Sequence, residues 1–290
     1  GEREGKGIWL PGMLSLLLGG CAASGSESGR ALPPKARFAS LGSSFAAGAG
    51  IGPLQAGTPE RCSRTTNNYA TLLAARLDLN LVDASCGGAT SEHVLRGWSE
   101  LPPQIDALDR ETRLVTITVG GNDLGYVGWL FASSCRLGVA AFPGPCRPAA
   151  EPTDADYARL DRNLRAIAQQ VRVRAPQARL VFVQYVTLLS DTACGLETVT
   201  PADAAVARRI AQRLASVTDG AARASGADVL DADRLSRSHT PCSPEPWSNG
   251  LSPGYNRTQG APWHPNAAGH AAIARELASL LQARPALNRK

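Results

Sequence analysis

Short apolar or β-branched runs recur along the chain at Arg37–Leu41, Leu79–Ala84, Leu114–Val119, Arg179–Val186 and Asp228–Asp231. They lack the strict alternation of a half-buried strand, so they predict strands of a parallel sheet covered on both faces. Between them, Tyr69–Leu77, Tyr157–Val173 and Ala204–Ala224 repeat apolar residues every three or four positions with Arg and Asp on the opposite face, and Pro265–Leu281 closes the chain in the same way. That spacing predicts amphipathic helices. The alternation of strand and helix implies the α/β class: a single three-layer α/β/α domain around a parallel, doubly wound sheet of about five strands. Two segments, Phe131–Pro152 and Ser236–Trp263, follow neither period. Loops of that length in a compact domain usually carry function, a disulfide, or both.

The chain of 290 residues is 43% hydrophobic and 19% charged, enough apolar material for a sizeable core and too much for general disorder. Its 29 glycines and 20 prolines show no triplet period, which excludes a collagen-like fibre. The net charge of +5 comes from Arg and Lys scattered among Asp and Glu, without the basic run that would neutralise nucleic-acid phosphates, so no nucleic-acid partner is expected.

The first residues change the picture. Arg3 and Lys6 precede an apolar stretch from Ile8 to Leu18, broken only by Pro11, Gly12 and Ser15, and ending in Leu18-Gly19-Gly20-Cys21. The stretch is too short to span a bilayer but suits the apolar core of an export signal. The small residues before Cys21 resemble a bacterial lipobox, with a plain secretory cleavage as the alternative. The expected organisation is a signal peptide over 1–20, a lipidated Cys21 with a Ser-, Gly- and Pro-rich tether to residue 35, a folded domain over 36–284 and a tail over 285–290. The protein is thus expected to be exported, either secreted or held at the cell envelope, touching a membrane only through its N-terminal lipid.

Seven cysteines less Cys21 leave Cys62, Cys86, Cys135, Cys146, Cys194 and Cys242, an even set without a Cys-x-x-Cys pair or zinc-finger histidines. Disulfides are the expected use and structural metal is not, although six cysteines admit about 15 pairings.

In a parallel sheet, chemistry gathers in the loops after the carboxyl ends of the strands. Four such segments stand out: Gly42-Ser43-Ser44 after the first strand, Cys86-Gly87-Gly88-Ala89 after the second, Gly120-Gly121-Asn122-Asp123 after the third, and Trp263-His264-Pro265-Asn266 before the last helix. In this order they resemble the SGNH (GDSL-type) hydrolase family, in its secreted bacterial esterase/lipase branch with three disulfides. The resemblance spans roughly Arg37 to Leu281 and implies a flavodoxin-like fold. Position by position it makes Ser44 the nucleophile, His264 the general base, and Ser44, Gly88 and Asn122 the oxyanion donors. It also implies sequential pairing, Cys62–Cys86, Cys135–Cys146 and Cys194–Cys242.

The chemistry of the residues agrees. A serine hydroxyl needs a neighbouring base to take its proton and fixed dipoles to hold the charge that develops on a substrate carbonyl. Glycine at position 88 lets the main chain approach the substrate, and the Asn122 amide can donate. Asp123 reads as a helix cap or loop brace rather than a catalyst. His93, His239 and His270 read as surface or loop residues, and Trp263 as a pocket wall or packing residue.

Two positions depart from the family pattern. Its Gly-Asp-Ser has become Gly42-Ser43-Ser44, and its aspartate three residues before the histidine is Ala261. A Ser-His dyad is therefore expected, with the carbonyl of Ala261 or a neighbour holding the imidazole, unless another acid such as Glu245 reaches it. Without a carboxylate partner, the apparent pKa of His264 is expected near the ordinary ~6.5. The chain lacks the Gly-x-Ser-x-Gly elbow, His-Glu-x-x-His, the P-loop and Gly-x-Gly-x-x-Gly. The expected function is hydrolysis of carboxylic esters of small molecules, lipids or acylated glycans through an acyl-enzyme, without a cofactor. The alternative is a catalytically silent surface lipoprotein that binds a glycan or lipid.

Overall fold

The computed structural model describes residues 31–283; the expected export signal, Cys21 and the expected C-terminal tail lie outside the described residues. Five parallel strands form one sheet in the order β2-β1-β3-β4-β5, with β1 at Arg37–Gly42, β2 at Asn80–Asp83, β3 at Thr112–Thr118, β4 at Arg179–Val183 and β5 at Asp228–Leu230. This is a doubly wound order whose direction reverses between β1 and β3, the point where a crevice opens at the carboxyl edge. In β1, Phe38 pairs with Leu81 of β2 on one side and with Leu114 of β3 on the other. Phe38, Ala39, Ser40 and Leu41 are all inaccessible to solvent, as a sheet covered on both faces requires.

The helices are α1 (Ser44–Ala47), α2 (Tyr69–Leu77), α3 (Ser91–Arg96), α4 (Tyr126–Arg136), α5 (Asp154–Arg174), α6 (Pro201–Ser225), α7 (Ala232–Leu235) and α8 (Ala267–Gln282). Helix α2 packs on α8, whereas α5 packs on α3 and α6, and α6 on α4. The two longest helices begin three residues ahead of their apolar periodicity because capping sets their starts. The Thr153 hydroxyl accepts from the Asp156 N–H while the Asp156 carboxylate accepts from the Thr153 N–H, and the Thr200 side chain caps α6 ahead of Pro201.

Helix α4 corrects an expectation. The stretch from Phe131 is helical as far as Arg136 rather than aperiodic, because α4 is entered through Gly125 in the left-handed region without a side-chain cap. Gly128, Ser133 and Ser134 dilute its apolar stripe. Strand β4 also ends earlier than its apolar run, at Val183 rather than Val186. Among the described residues no helix is long and apolar enough to cross a membrane. Disulfides join Cys62 to Cys86, Cys135 to Cys146 and Cys194 to Cys242, the sequential pairing.

Candidate active site

The carboxyl end of β1 is held in a narrow frame. The Gly42 N–H donates to Gln104 Oε1 at 2.7 Å, the Gln104 amide donates back to the Gly42 carbonyl at 3.0 Å, and the Ser43 N–H donates to the Thr118 carbonyl at 2.9 Å. Gly42 has φ +134°, and a Cβ there would stand 2.2 Å from the Thr118 oxygen, so only glycine fits. The chain then turns into α1, whose first residue is Ser44 and whose last is followed by Gly48 in the left-handed region.

Tyr185, just past the end of β4, locks this turn to the third block. Its hydroxyl lies 3.0 Å from Ser43 Oγ and accepts from the Gly121 N–H at 3.0 Å. With the Gly121 N–H as first donor, the protons run from Gly121 to Tyr185, from Tyr185 to Ser43 and from Ser43 to the Thr118 carbonyl, leaving no donor unused. Burial raises the Tyr185 pKa well above its ordinary value, so the hydroxyl keeps its proton.

The second block is anchored by the Cys62–Cys86 bridge and by the Gly87 N–H, which donates to the Cys62 carbonyl at 2.8 Å. Gly88 follows with φ +87°, and a Cβ there would stand 2.9 Å from the Trp98 ring. The Asn122 amide donates to the Ala89 carbonyl at 3.0 Å and so ties the third block to the second. Asp123 accepts from the Ser91 N–H at 3.0 Å and from the Ser91 hydroxyl, bracing the start of α3; burial raises its pKa.

The fourth block arrives through an unusual backbone. Trp263 has φ +56°, a conformation bulky residues avoid, and persists there because its ring is fully buried with Nε1 donating to Ser134 Oγ at 3.2 Å. The bend brings the ring of His264 back over its own chain. His264 Nδ1 donates to the Pro262 carbonyl at 2.7 Å, and because a carbonyl only accepts, the neutral ring leaves Nε2 unprotonated. Nε2 lies 2.8 Å from Ser44 Oγ.

The orienting carbonyl is therefore that of Pro262 and not that of Ala261, whose N–H instead donates to Ala49. Among the described residues no carboxylate, Glu245 included, bonds the His264 ring. The expected ordinary pKa is also corrected. The imidazole is buried and bonded only to neutral groups, the Pro262 carbonyl and the Ser44 hydroxyl, so desolvation pulls its pKa down to about 4 while the Pro262 bond raises it only in part.

The other histidines divide. His93 Nδ1 accepts from the Thr90 N–H and its ring stacks on Trp98, and His239 stacks on Trp247. His270 is no surface or loop residue: it lies buried in α8, its Nδ1 accepts from the Tyr69 N–H, and burial lowers its pKa to about 3.

Ser44, Gly88, Asn122 and His264 all line one cleft of about 640 Å³. The Ser44 and Gly88 N–H groups have no acceptor among the described residues, and the Asn122 amide has a second N–H beyond the one given to Ala89. Sequence reasoning missed Gln104 and Tyr185, and gave the orienting carbonyl only as that of Ala261 or a neighbour. The one available signal was the place of Tyr185 at the carboxyl edge, close behind the fourth strand.

Comparison with known proteins places this arrangement. Residues 40–272 match the GDSL-like lipase/acylhydrolase family. The chain is 29% identical over 276 residues to Lipase 2 of Streptomyces coelicolor, covering 92% of this chain and 93% of that protein. It is 28% identical to an esterase of Streptomyces scabiei over 79% of each chain. Among solved structures, an extracellular lipase from Streptomyces rimosus superposes with a TM-score of 0.64 at 25% identity, over 84% of this chain and 99% of that one. Phospholipase A1 from Streptomyces albidoflavus shares the fold with a TM-score of 0.67 at 24% identity, over the same shares of each chain. A match over most of the folded chain, with its four blocks converging at one carboxyl edge, makes this protein a member of the GDSL-like lipase/acylhydrolase family and an ester hydrolase.

Proposed function

We propose that the protein cleaves carboxylic esters through a Ser44–His264 dyad. The observation that carries this reading is the pair of bonds at His264: Nδ1 fixed by the Pro262 carbonyl at 2.7 Å and Nε2 facing Ser44 Oγ at 2.8 Å. Nε2 takes the Ser44 proton as Oγ attacks the ester carbonyl, and the developing oxyanion is held by the N–H groups of Ser44 and Gly88 and the free N–H of Asn122. His264 then returns the proton to the leaving alcohol, and a water activated in the same way releases the acid. The contact between the serine and its base supports this reading over the catalytically silent alternative, which the absence of an aspartate at Ala261 would otherwise favour. Three disulfides suit an exported protein, and lipid on Cys21 would hold it at the cell envelope.

A fluorophosphonate probe should form its adduct on Ser44, read by peptide mass spectrometry. An adduct on Ser43, or none, overturns the assignment.

The pH profile offers a second check. A base must be neutral to work, so activity is lost as pH falls through the pKa of His264. With that pKa near 4, kcat/KM for a soluble ester should be level from pH 5 to 8 and fall about tenfold per unit below the midpoint. Unfolding must be followed in parallel: the unfolded chain binds protons at His264 and His270 below ~6.5 and the folded one only near pH 3–4, so stability declines as pH falls through that window. A midpoint near the ordinary histidine value, in protein still folded by circular dichroism, contradicts the buried base.

A further inference from the structure

We propose that Tyr185 is a positioning residue for ester cleavage: its side chain fixes the nucleophile Ser44, the oxyanion donor Asn122 and the base His264 relative to one another. This rests on the Ser44–His264 reading above, and the Tyr185 hydroxyl itself bonds to none of the three.

Ser44, Asn122 and His264 arrive on three separate segments, so their mutual geometry needs a common reference. Among the described residues no hydrogen bond runs directly from the Gly42–Gly48 turn to the Gly120–Asp123 segment. The Tyr185 hydroxyl supplies that link at 3.0 Å on each side, and at sensitive places: Ser43 stands one residue before Ser44, and Gly121 one residue before Asn122. Position 43, aspartate in the family pattern, is serine here, and its side chain reaches the third block through this phenol. The aromatic ring adds the base. Phe45, one residue after Ser44, packs its ring 4.4 Å from that of Tyr185 and 4.8 Å from that of His264, so the same side chain also backs the imidazole. Gly121 lies so close to the Tyr185 ring that a Cβ there would stand 2.6 Å from Cε1.

The mount of Tyr185 is separate from all three segments. The residue follows β4, and Gln184 beside it donates its N–H to the Leu230 carbonyl at 3.2 Å and its side-chain amide to Asp219 at 2.7 Å. Tyr185 and Gly121 are both buried. A buried N–H left without its acceptor is costly, so loss of the phenol oxygen is relieved by movement of the segment that carries Asn122. A displacement of about 1 Å at a reacting group can cost on the order of 100-fold in rate, because the oxyanion donors act only at short range. The ground-state ester does not yet carry the charge that these donors hold, so binding should be spared.

The test measures p-nitrophenyl butyrate hydrolysis by the full chain, well below the melting midpoint of each variant and with folding checked by circular dichroism. Tyr185→Phe keeps the ring and removes the hydroxyl; kcat and kcat/KM should fall together by about 30-fold, with KM within about twofold of the parent. Ser43→Ala leaves the Gly121 bond to Tyr185 in place and should lower kcat about fivefold, and it decides the matter if Tyr185→Phe does not fold. The double variant should match Tyr185→Phe within about twofold, since both changes break one link. Tyr69→Phe is the structural control: it removes a buried phenol hydroxyl bonded to Thr118 Oγ1 at 2.7 Å and should keep kcat within about twofold while lowering the melting temperature. A kcat within about threefold of the parent in folded Tyr185→Phe, a change confined to KM, losses that multiply in the double variant, or an equal fall in Tyr69→Phe overturns the proposal. Parental activity in Ser44→Ala overturns the dyad reading itself.

Discussion

Replacing His264 by alanine should lower kcat for a p-nitrophenyl ester by roughly 10⁴-fold or more, and Ser44→Ala should do the same. The two losses should not add, because each variant removes the same event: a hydroxyl without its base is a weak nucleophile, and a base without its hydroxyl has nothing to activate. The double variant should therefore match either single one, with the residue of activity supplied by the oxyanion donors. Ala261→Asp should change kcat less than about tenfold, since Nδ1 already has its acceptor in Pro262 at 2.7 Å. Independent losses at Ser44 and His264, multiplying in the double variant, would contradict the dyad. So would a several-thousand-fold loss on replacing any single acidic residue, Glu245 included, because that is the signature of a missing triad aspartate.

Gly42→Ala should be the most damaging substitution outside the reacting groups. The added methyl would stand 2.2 Å from the Thr118 carbonyl oxygen, on the neighbouring strand, with the backbone at φ +134°. Neither partner can yield alone, because Gly42 is bonded through both its N–H and its carbonyl to Gln104, and the Thr118 carbonyl accepts the Ser43 N–H. Strain of this kind together with a backbone clash should cost more than about 3 kcal/mol, enough to drop the melting temperature by roughly 6 °C or more in a domain of this size. Any protein that still folds should be nearly inactive, since Ser44 sits two residues on. Gln104→Ala, which removes the frame without adding bulk, should be milder in both respects. A Gly42→Ala protein with parental melting and activity would refute this account of the β1 turn.

The parallel strands are legible in the chain because a strand covered on both faces must be apolar at every position, and few other elements demand that. Their carboxyl ends then announce where Ser44, Gly88 and Asn122 lie. Helix α4 is not legible: its start depends on a left-handed Gly125, and its serines face Asp203, Thr198 and Trp263 across the fold, contacts that no local spacing reports. The choice of Pro262 over Ala261 is hidden for a similar reason, since it follows from the left-handed backbone at Trp263, which only burial of that ring sustains. The depressed pKa of His264 escapes sequence reasoning too, because burial is a property of what packs above a residue. Tyr185 looks like one more apolar strand position, and its role emerges only when Ser43 and Gly121 come within reach of its hydroxyl.

Holding the imidazole through a main-chain oxygen has an evolutionary side. An orienting carboxylate is written in one codon and can be lost by one base change. The Pro262 carbonyl is present whatever side chain the position bears, so drift can erase it only by altering the path of the chain. Of the groups that form and aim this base, a single codon, that for His264, must be spared outright; the others are guarded collectively by whatever keeps Trp263 in place.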